Sequence, residues 1–457
     1  MTDEPQPGTD AIEPRSRGGE PGPEARVREP DGALTPAEHD ENALEPVQLI
    51  RVSGTVLRMG KAMLSTGHGS YRVKAAMGQA ALALGLDRHE AHVTLTEITA
   101  TSHRGPIFRT EVAEQRIIGV NADRLQALSD LANEMHPGMT VDEVNERLDR
   151  IEHRKPLYAP VINAASAGVA CGAFAFLNNG GLIEVVGATL GAGIGQYIRR
   201  ALIHRKVNQF GATMVAAAVA ALAYLGFVLL LDLATGSDAS SHEAGFISSV
   251  LFLVPGFPLV TGALDLAKMD FSAGVARLVY ALTILTSAGL AVWAVTLATG
   301  LAADPIPRPD LGWWAMFGLR ILASFFGVLG FALMFNSPVR MAVWAASIGM
   351  VANVLRLTLA DQGLAIQAAT MVATVLVSVL VAMVGPRTGI PRTALSVPAV
   401  VIMVPGVAAY RAVVGFNNGA TDVALSAGAT ATFVVICIAL GLAAGRILTD
   451  RTWGFER

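Results

Sequence analysis

The sequence predicts an α-helical polytopic membrane protein, about ten spans in two five-span inverted repeats, preceded by a small N-terminal α+β domain on the cytoplasmic side. Three observations predict it. Asp, Glu, Lys and Arg make up only 16% of the 457 residues, against about 25% in soluble domains, while 52% are apolar and the mean hydropathy is +0.48. The charge is uneven, because residues 1–157 hold 18 of the 34 Lys and Arg. From there to the C-terminus, apolar stretches of about 20 residues recur between short polar gaps. A wholly soluble enzyme is excluded. With a net charge of −3 and no concentrated basic face, a nucleic-acid partner is excluded too. The two cysteines, Cys171 and Cys437, lie in apolar segments and build neither a disulfide framework nor a metal cluster.

Residues 1–45 contain seven Pro, five Gly, twelve Asp or Glu and only four Arg. Such a segment buries too little apolar surface to offset its chain entropy, so a disordered acidic tail is expected. It lacks the basic start and apolar core of a signal peptide, which places the N-terminus in the cytoplasm.

Residues 46–155 read as the cytoplasmic domain. Leu49, Val52, Val56, Leu57 and Leu64 recur at near-helical spacing, and Val73, Met77, Ala80, Ala81 and Leu84 form a second stripe that ends at Gly85, a helix C-cap. Residues 92–98 alternate with β-branched positions, as one strand would; residues 106–113 and 115–119 read as further strands. Residues 121–136 and 140–153 read as helices, the second opening with Thr140 and Glu143 in a capping-box pattern. His89 and His92 are spaced by three rather than the four of a zinc-protease helix, so a polar turn into a strand is preferred to a metal site. The Ser65-Thr66-Gly67-His68-Gly69 run could cradle an anion, but a helix-joining turn is the favoured reading.

The spans are expected at 158–177, 180–200, 211–231, 244–264 and 274–300, then at 312–335, 338–358, 363–384, 394–414 and 420–445. Residues 156–300 hold the first five and 301–457 the second five. With the N-terminus inside, twelve Lys or Arg beyond residue 197 fall at inner loops or span ends and three (Arg308, Arg356, Arg411) at outer ones. This positive-inside bias supports both the count and the orientation, with both termini cytoplasmic.

An internal repeat relates the halves. Val254-Pro255-Gly256 and Val404-Pro405-Gly406 recur at an offset of 150, and residues 172–178 resemble 330–336 at an offset of 158. Five is odd, so the copies enter the membrane from opposite sides, as in many secondary transporters. A Pro-Gly pair at mid-membrane removes a backbone donor and breaks the helix, which lipid tolerates only where other groups satisfy the backbone. Two related breaks mark a substrate site at Pro255, Gly256, Pro405 and Gly406, whose exposed N–H and carbonyl ends suit a zwitterion. Charges within spans are further candidates: Arg320 for the substrate, Glu184 and Asp265 for a coupling proton, with Asp422 and Arg411 near span ends. Gly187, Gly191, Gly193 and Gly195 read as a small-residue packing face, and Asn178-Asn179-Gly180-Gly181 as a tight turn between spans. Asn163 and Asn353 are intramembrane hydrogen bonders whose partners the sequence does not identify.

Over most of residues 47–450 the chain resembles the threonine/serine exporters of bacteria. The resemblance rests on Met63-Leu64-Ser65-Thr66-Gly67, on Tyr71-Arg72-Val73-Lys74, and on Met403 to Arg411, where Tyr410 and Arg411 follow Pro405-Gly406 at the family's spacing. It implies export of small hydroxy amino acids driven by the proton motive force, across the bacterial inner membrane, with no cofactor and no metal. Tyr410 and Arg411 thereby join the substrate-site candidates. The span-four copy departs from this pattern, since Phe257-Pro258-Leu259-Val260 replaces the Tyr-Arg part. The soluble domain would gate or sense the cytoplasmic mouth. The expected partners are the amino-acid substrate, protons and the bilayer, with homo-oligomerisation left open. The alternatives are an exporter of another small polar metabolite, or a membrane-anchored hydrolase-like enzyme, for which ten spans are superfluous.

Overall fold

A γ-turn at each of two prolines, 150 residues apart, organises the membrane part of the chain; the elements around them follow in order. The computed structural model describes residues 36–116, 118–236, 245–299 and 311–450. Most of the expected acidic tail lies outside the described residues, and from Pro36 the chain is already helical.

Helices α1 (Pro36–Ser65) and α2 (Ser70–Ala83) lead into strands β1 (Arg88–Val93), β2 (Glu97–Arg104) and β3 (Ile107–Glu114), then α3 (Ala122–Glu134) and α4 (Val141–Glu152). The strands form an antiparallel sheet in the order β1-β2-β3, with Val93 opposite Ile98 and Arg104 opposite Ile107. The single strand expected over 92–98 is corrected to a hairpin: the Thr94 hydroxyl accepts from the Glu97 N–H at 3.1 Å, and the Thr94 N–H donates to the Glu97 carbonyl at 2.9 Å, closing a turn. No strand forms at the described residues of 115–119. Ile98, Ala100 and Ser102 of β2 point to a core shared with Val56, Met59, Val73, Met77, Leu128, Val144 and Leu148. Thr140 caps α4 by accepting from the Glu143 N–H at 3.2 Å, and Asn121 caps α3 by accepting from the Arg124 N–H at 3.1 Å. Arg58 fastens α1 to α4 through Asp149 at 2.5 Å and Glu152 at 2.6 Å.

The first membrane half comprises α5 (Pro160–Leu177), α6 (Leu182–His204), α7 (Gln209–Thr235), the short α8 (Phe246–Ser249), a 3-10 turn (Leu251–Leu253), α9 (Gly256–Ala267) and α10 (Phe271–Thr299). The second comprises α11 (Trp313–Met334), α12 (Val339–Asp361), α13 (Ile366–Thr388), α14 (Arg392–Val401), α15 (Gly406–Asn417) and α16 (Thr421–Thr449). Among the described residues, seven helices (α5, α7, α10, α11, α12, α13 and α16) are long and apolar enough to cross a membrane alone. The bent pair α14–α15 makes an eighth if it crosses once. Helix α6 spans 23 residues, but its four glycines, Glu184, Arg199 and Arg200 dilute its hydropathy. The chain is a multi-pass membrane protein.

Close backbone approach explains the glycines of α6. A Cβ at Gly191 would meet the Ala220 carbonyl of α7 at 2.6 Å and one at Gly195 the Ala216 carbonyl at 3.0 Å, whereas at Gly193 the nearest atom is 3.6 Å away. Gly187, Gly191 and Gly195 are the packing face expected, and Gly193 lies off it. The α5–α6 turn contains Asn179 with φ of 73°. Helix α11 packs on α5, where a Cβ at Gly330 would lie 2.5 Å from the Ser166 carbonyl. Helix α3 joins the two cores: Ala122 and Leu125 belong to the membrane cluster, Leu128 and Leu131 to the N-terminal one.

Candidate functional site

Pro255 and Pro405 carry nearly identical backbone angles, φ/ψ of −79°/59° and −81°/58°, and cap α9 and α15. These are inverse γ-turn values. In each, the glycine N–H donates to the valine carbonyl two residues back at 2.8 Å, and the proline carbonyl accepts from Leu259 or Ala409 at 3.0 Å. The γ-turn thus satisfies a donor that a straight helix would have bonded four residues back. The break bends α14 against α15 by 53°.

The two breaks meet. A Cβ on Gly256 would touch Val401 at 3.1 Å and Val404 at 3.6 Å, while one on Gly406 would touch Leu251 and Val254, each at 2.9 Å. Leu251 and Val254 stand to Val401 and Val404 at the same offset of 150 as the two glycines, so each break presses on the equivalent residues of the other. Tyr410 is fully buried and its hydroxyl donates to the Val250 carbonyl at 3.4 Å, linking α15 to the first break. Arg356 of α12 donates to the Met403 carbonyl at 3.3 Å, on the rim of the second break. Between the breaks the residual space is about 10 Å³, lined by Phe174, Leu251, Phe331 and Gly406 among others. That is room for about one water molecule, so the crossing is closed in this conformation.

A second cluster lies at the other end of α9. Asp265 and Arg277, 0% and 3% exposed, stand 3.0 Å apart from Oδ2 to Nε. The N–H is not aimed at the carboxylate, so the contact is ionic rather than a hydrogen bond. Their remaining capacity goes to the turn between α1 and α2. The Asp265 Oδ1 accepts from the Ser70 N–H at 2.9 Å, and an Arg277 Nη donates to the His68 carbonyl at 2.7 Å. Asp270 accepts from the Ser70 hydroxyl at 2.8 Å and pairs with Lys74. The 65–69 run is the helix-joining turn expected, and this ionic latch seats it on α9 and α10. Gly67, at φ of +100°, sits against the Phe257 ring, where a Cβ would lie 2.9 Å from the ring edge. His68 Nδ1 lies 3.0 Å from the Met63 carbonyl and so carries the proton, leaving Nε2 to accept from Ser129 at 3.0 Å. Burial, the main cause, lowers the His68 pKa to about 4, with smaller contributions from Arg72 and Arg277, so the ring is neutral.

The structure brings Pro255, Gly256, Pro405, Gly406 and Tyr410 together, with Arg411 half-buried on α15. Arg320 pairs with Asp361, the last residue of α12, rather than with a group at either break. Glu184 is buried at the start of α6, beside Tyr224: at Gly245 a Cβ would lie 2.1 Å from the Tyr224 hydroxyl and 2.8 Å from Glu184 Cγ. Asp265 stands at the far end of α9 from Pro255. Asn163 donates to the Met334 carbonyl at 2.9 Å and accepts from Gln196 at 2.8 Å, and Asn353 donates to Ser324 at 2.9 Å. Sequence reasoning missed Arg277, Ser70, Asp270, Lys74 and Arg356. Arg277 and Arg356 lie within three residues of the ends of the expected spans, where an arginine reads only as an orientation charge, so the sequence carried no signal of their burial.

Comparison with known proteins places this architecture. A threonine/serine exporter family matches residues 54–299, and the family described as "Threonine/Serine exporter, ThrE" matches residues 320–448. The Escherichia coli K12 protein named "Probable succinate transporter subunit YjjP" is 28% identical over 252 residues, covering 54% of this chain and 94% of its own length. The Mycobacterium tuberculosis H37Rv protein named "Probable threonine/serine exporter" is 25% identical over 421 residues, covering 88% of this chain and 76% of its own. No solved structure matches. The two family matches together run through the latch, both breaks and nearly all of the membrane helices, and the chain belongs to the threonine/serine exporter family.

Proposed function

We propose that the chain is a secondary transporter that exports threonine and serine from the cytoplasm, driven by the proton motive force, with the substrate held where the two breaks cross. The reciprocal contact of Gly256 with Val401 and Val404, and of Gly406 with Leu251 and Val254, carries this reading. It is the arrangement that two inverted five-span repeats produce at a shared mid-membrane site. In this reading the chain crosses the bilayer ten times, α8–α9 and α14–α15 each making one crossing, both termini face the cytoplasm, and residues 46–155 form a cytoplasmic domain at the mouth. Opening the crossing frees the N–H groups of α9 and α15 for the substrate carboxylate. Pro255, Gly256, Pro405, Gly406, Tyr410 and Arg411 form the substrate site; Arg320 is a more distant contributor. Glu184 carries the coupling proton, and Asp265 is the second carrier: protonation would break its pair with Arg277 and loosen residues 68–70.

Cells loaded with labelled threonine through a dipeptide test the proposal. Efflux from expressing cells should exceed that of controls, collapse with a protonophore, and fall at least about tenfold in Pro405→Ala and in Gly406→Leu at equal membrane abundance. Wild-type efflux in both variants would refute the crossing as the substrate site. A second reading, export of a small dicarboxylate, draws support from the name of the Escherichia coli relative. Labelled succinate leaving the same cells faster than threonine would favour it.

A further inference from the structure

A cavity of about 330 Å³ lies between α2 and α3 on one side and the α13–α14 connection on the other, and shares no lining residue with the space at the helix crossing. Its walls are more apolar than polar but carry side chains of both charges. Arg72 from α2 and Arg392 from the start of α14 supply guanidiniums, while Asp130 and Asn133 from α3 supply a carboxylate and an amide. His68, on the same wall as Arg72, is neutral and adds no charge, its two ring nitrogens being engaged by Met63 and Ser129.

The cationic side is crowded. Arg72 and Arg446 both donate to the Tyr71 hydroxyl, at 3.3 and 2.8 Å, and both lie over its ring, at 5.6 and 5.7 Å from the centroid. Arg392 and Arg446 also line one small void beside Ser378 and Ser396. Asp450 stands 3.5 Å from Arg392, at the long end of an ion pair. Two of these guanidiniums, those of Arg72 and Arg392, line the cavity and form a receptor for a carboxylate. On α3, burial and the neighbouring Glu134 raise the Asp130 pKa, with Arg154 only partly opposing them. An incoming ammonium would relieve that strain on the charged form.

We propose that this cavity binds a small zwitterionic amino acid, with Arg72 and Arg392 on its carboxylate and Asp130 on its ammonium, as a site separate from the helix crossing. The volume holds a threonine-sized molecule with a few waters. A dicarboxylate is disfavoured because its second charge would face Asp130. The site also has a route to the crossing: α14 begins at Arg392 in the cavity wall and ends three residues before Val404-Pro405-Gly406. Helix α14 is about 15 Å long with Pro398 in its interior, so occupancy at its Arg392 end acts on the break through one short, proline-bearing helix. The ligand class follows from the cavity walls. Its effect on the break extends the transport reading.

Calorimetry on the purified full-length chain in micelles tests this. Threonine should bind the wild type, with 3-hydroxybutyrate (no ammonium), threoninol (no carboxylate) and succinate each at least tenfold weaker. Asp130→Asn should weaken threonine at least tenfold without changing 3-hydroxybutyrate, and Arg392→Gln should weaken both. Gly406→Leu should keep the cavity's binding although its efflux is lost. Wild-type affinity in Asp130→Asn and Arg392→Gln, or succinate binding above threonine, overturns the proposal. So does absence of threonine binding by wild-type protein that still exports threonine, a result that would leave the transport reading intact.

Discussion

A carboxylate and a guanidinium taken out of water each cost several kcal/mol unless they find one another and further partners. Asp265 and Arg277 meet both conditions, since each also engages the backbone of residues 68–70. Removing one partner strands a buried charge, at a cost of about 3–5 kcal/mol, whereas replacing both with apolar side chains avoids most of that cost. Asp265→Ala should therefore unfold much more readily than Asp265→Leu combined with Arg277→Met, as measured by denaturant titration in micelles. Equal losses would show that the pair is not the source of the effect. This pair was illegible as a pair in the sequence. Each residue is visible as a charge within an apolar segment, but no periodicity links residue 70 to residue 265. The breaks, by contrast, were legible residue by residue, because proline lacks the N–H that an interior helix position requires.

Helical segments were legible because length and hydropathy are local properties. Strand ends were less so: residues 92–98 suit an uninterrupted strand by composition, and only the turn closed by Thr94 on Glu97 splits them. The glycines of α6 were legible as a packing face, but sequence could not say which of the four touches a neighbour. The structure makes that distinction testable. Alanine at Gly191 would press on a backbone carbonyl at 2.6 Å and should cost about 1–3 kcal/mol, whereas alanine at Gly193, with 3.6 Å of clearance, should be neutral or stabilising by up to about 1 kcal/mol. Equal unfolding midpoints for the two variants would contradict the α6–α7 packing described.

At the level of the whole molecule, neither half is self-sufficient. Helix α5 needs α11 to cover Ser166 and Ala170, and each Pro-Gly break is covered by the other. Chains cut between α10 and α11 should therefore be unstable apart yet co-purify and restore efflux when expressed together; efflux from either half alone would refute this. A relative named as a subunit, nearly all of which aligns to about half of this chain, motivates the experiment.

The halves are alike but not identical. At the offset of 150, Tyr410 corresponds to Val260 and Asp265 to Gly415, so the tyrosine link and the ionic latch each exist on one side only. If alternating access exchanges the conformations of the halves, identical halves would populate the two states equally. Here the degeneracy is lifted, and every 1.4 kcal/mol of difference shifts the populations about tenfold. The unloaded protein then waits in a single state, and its leak is set by that energy gap without any dedicated lid.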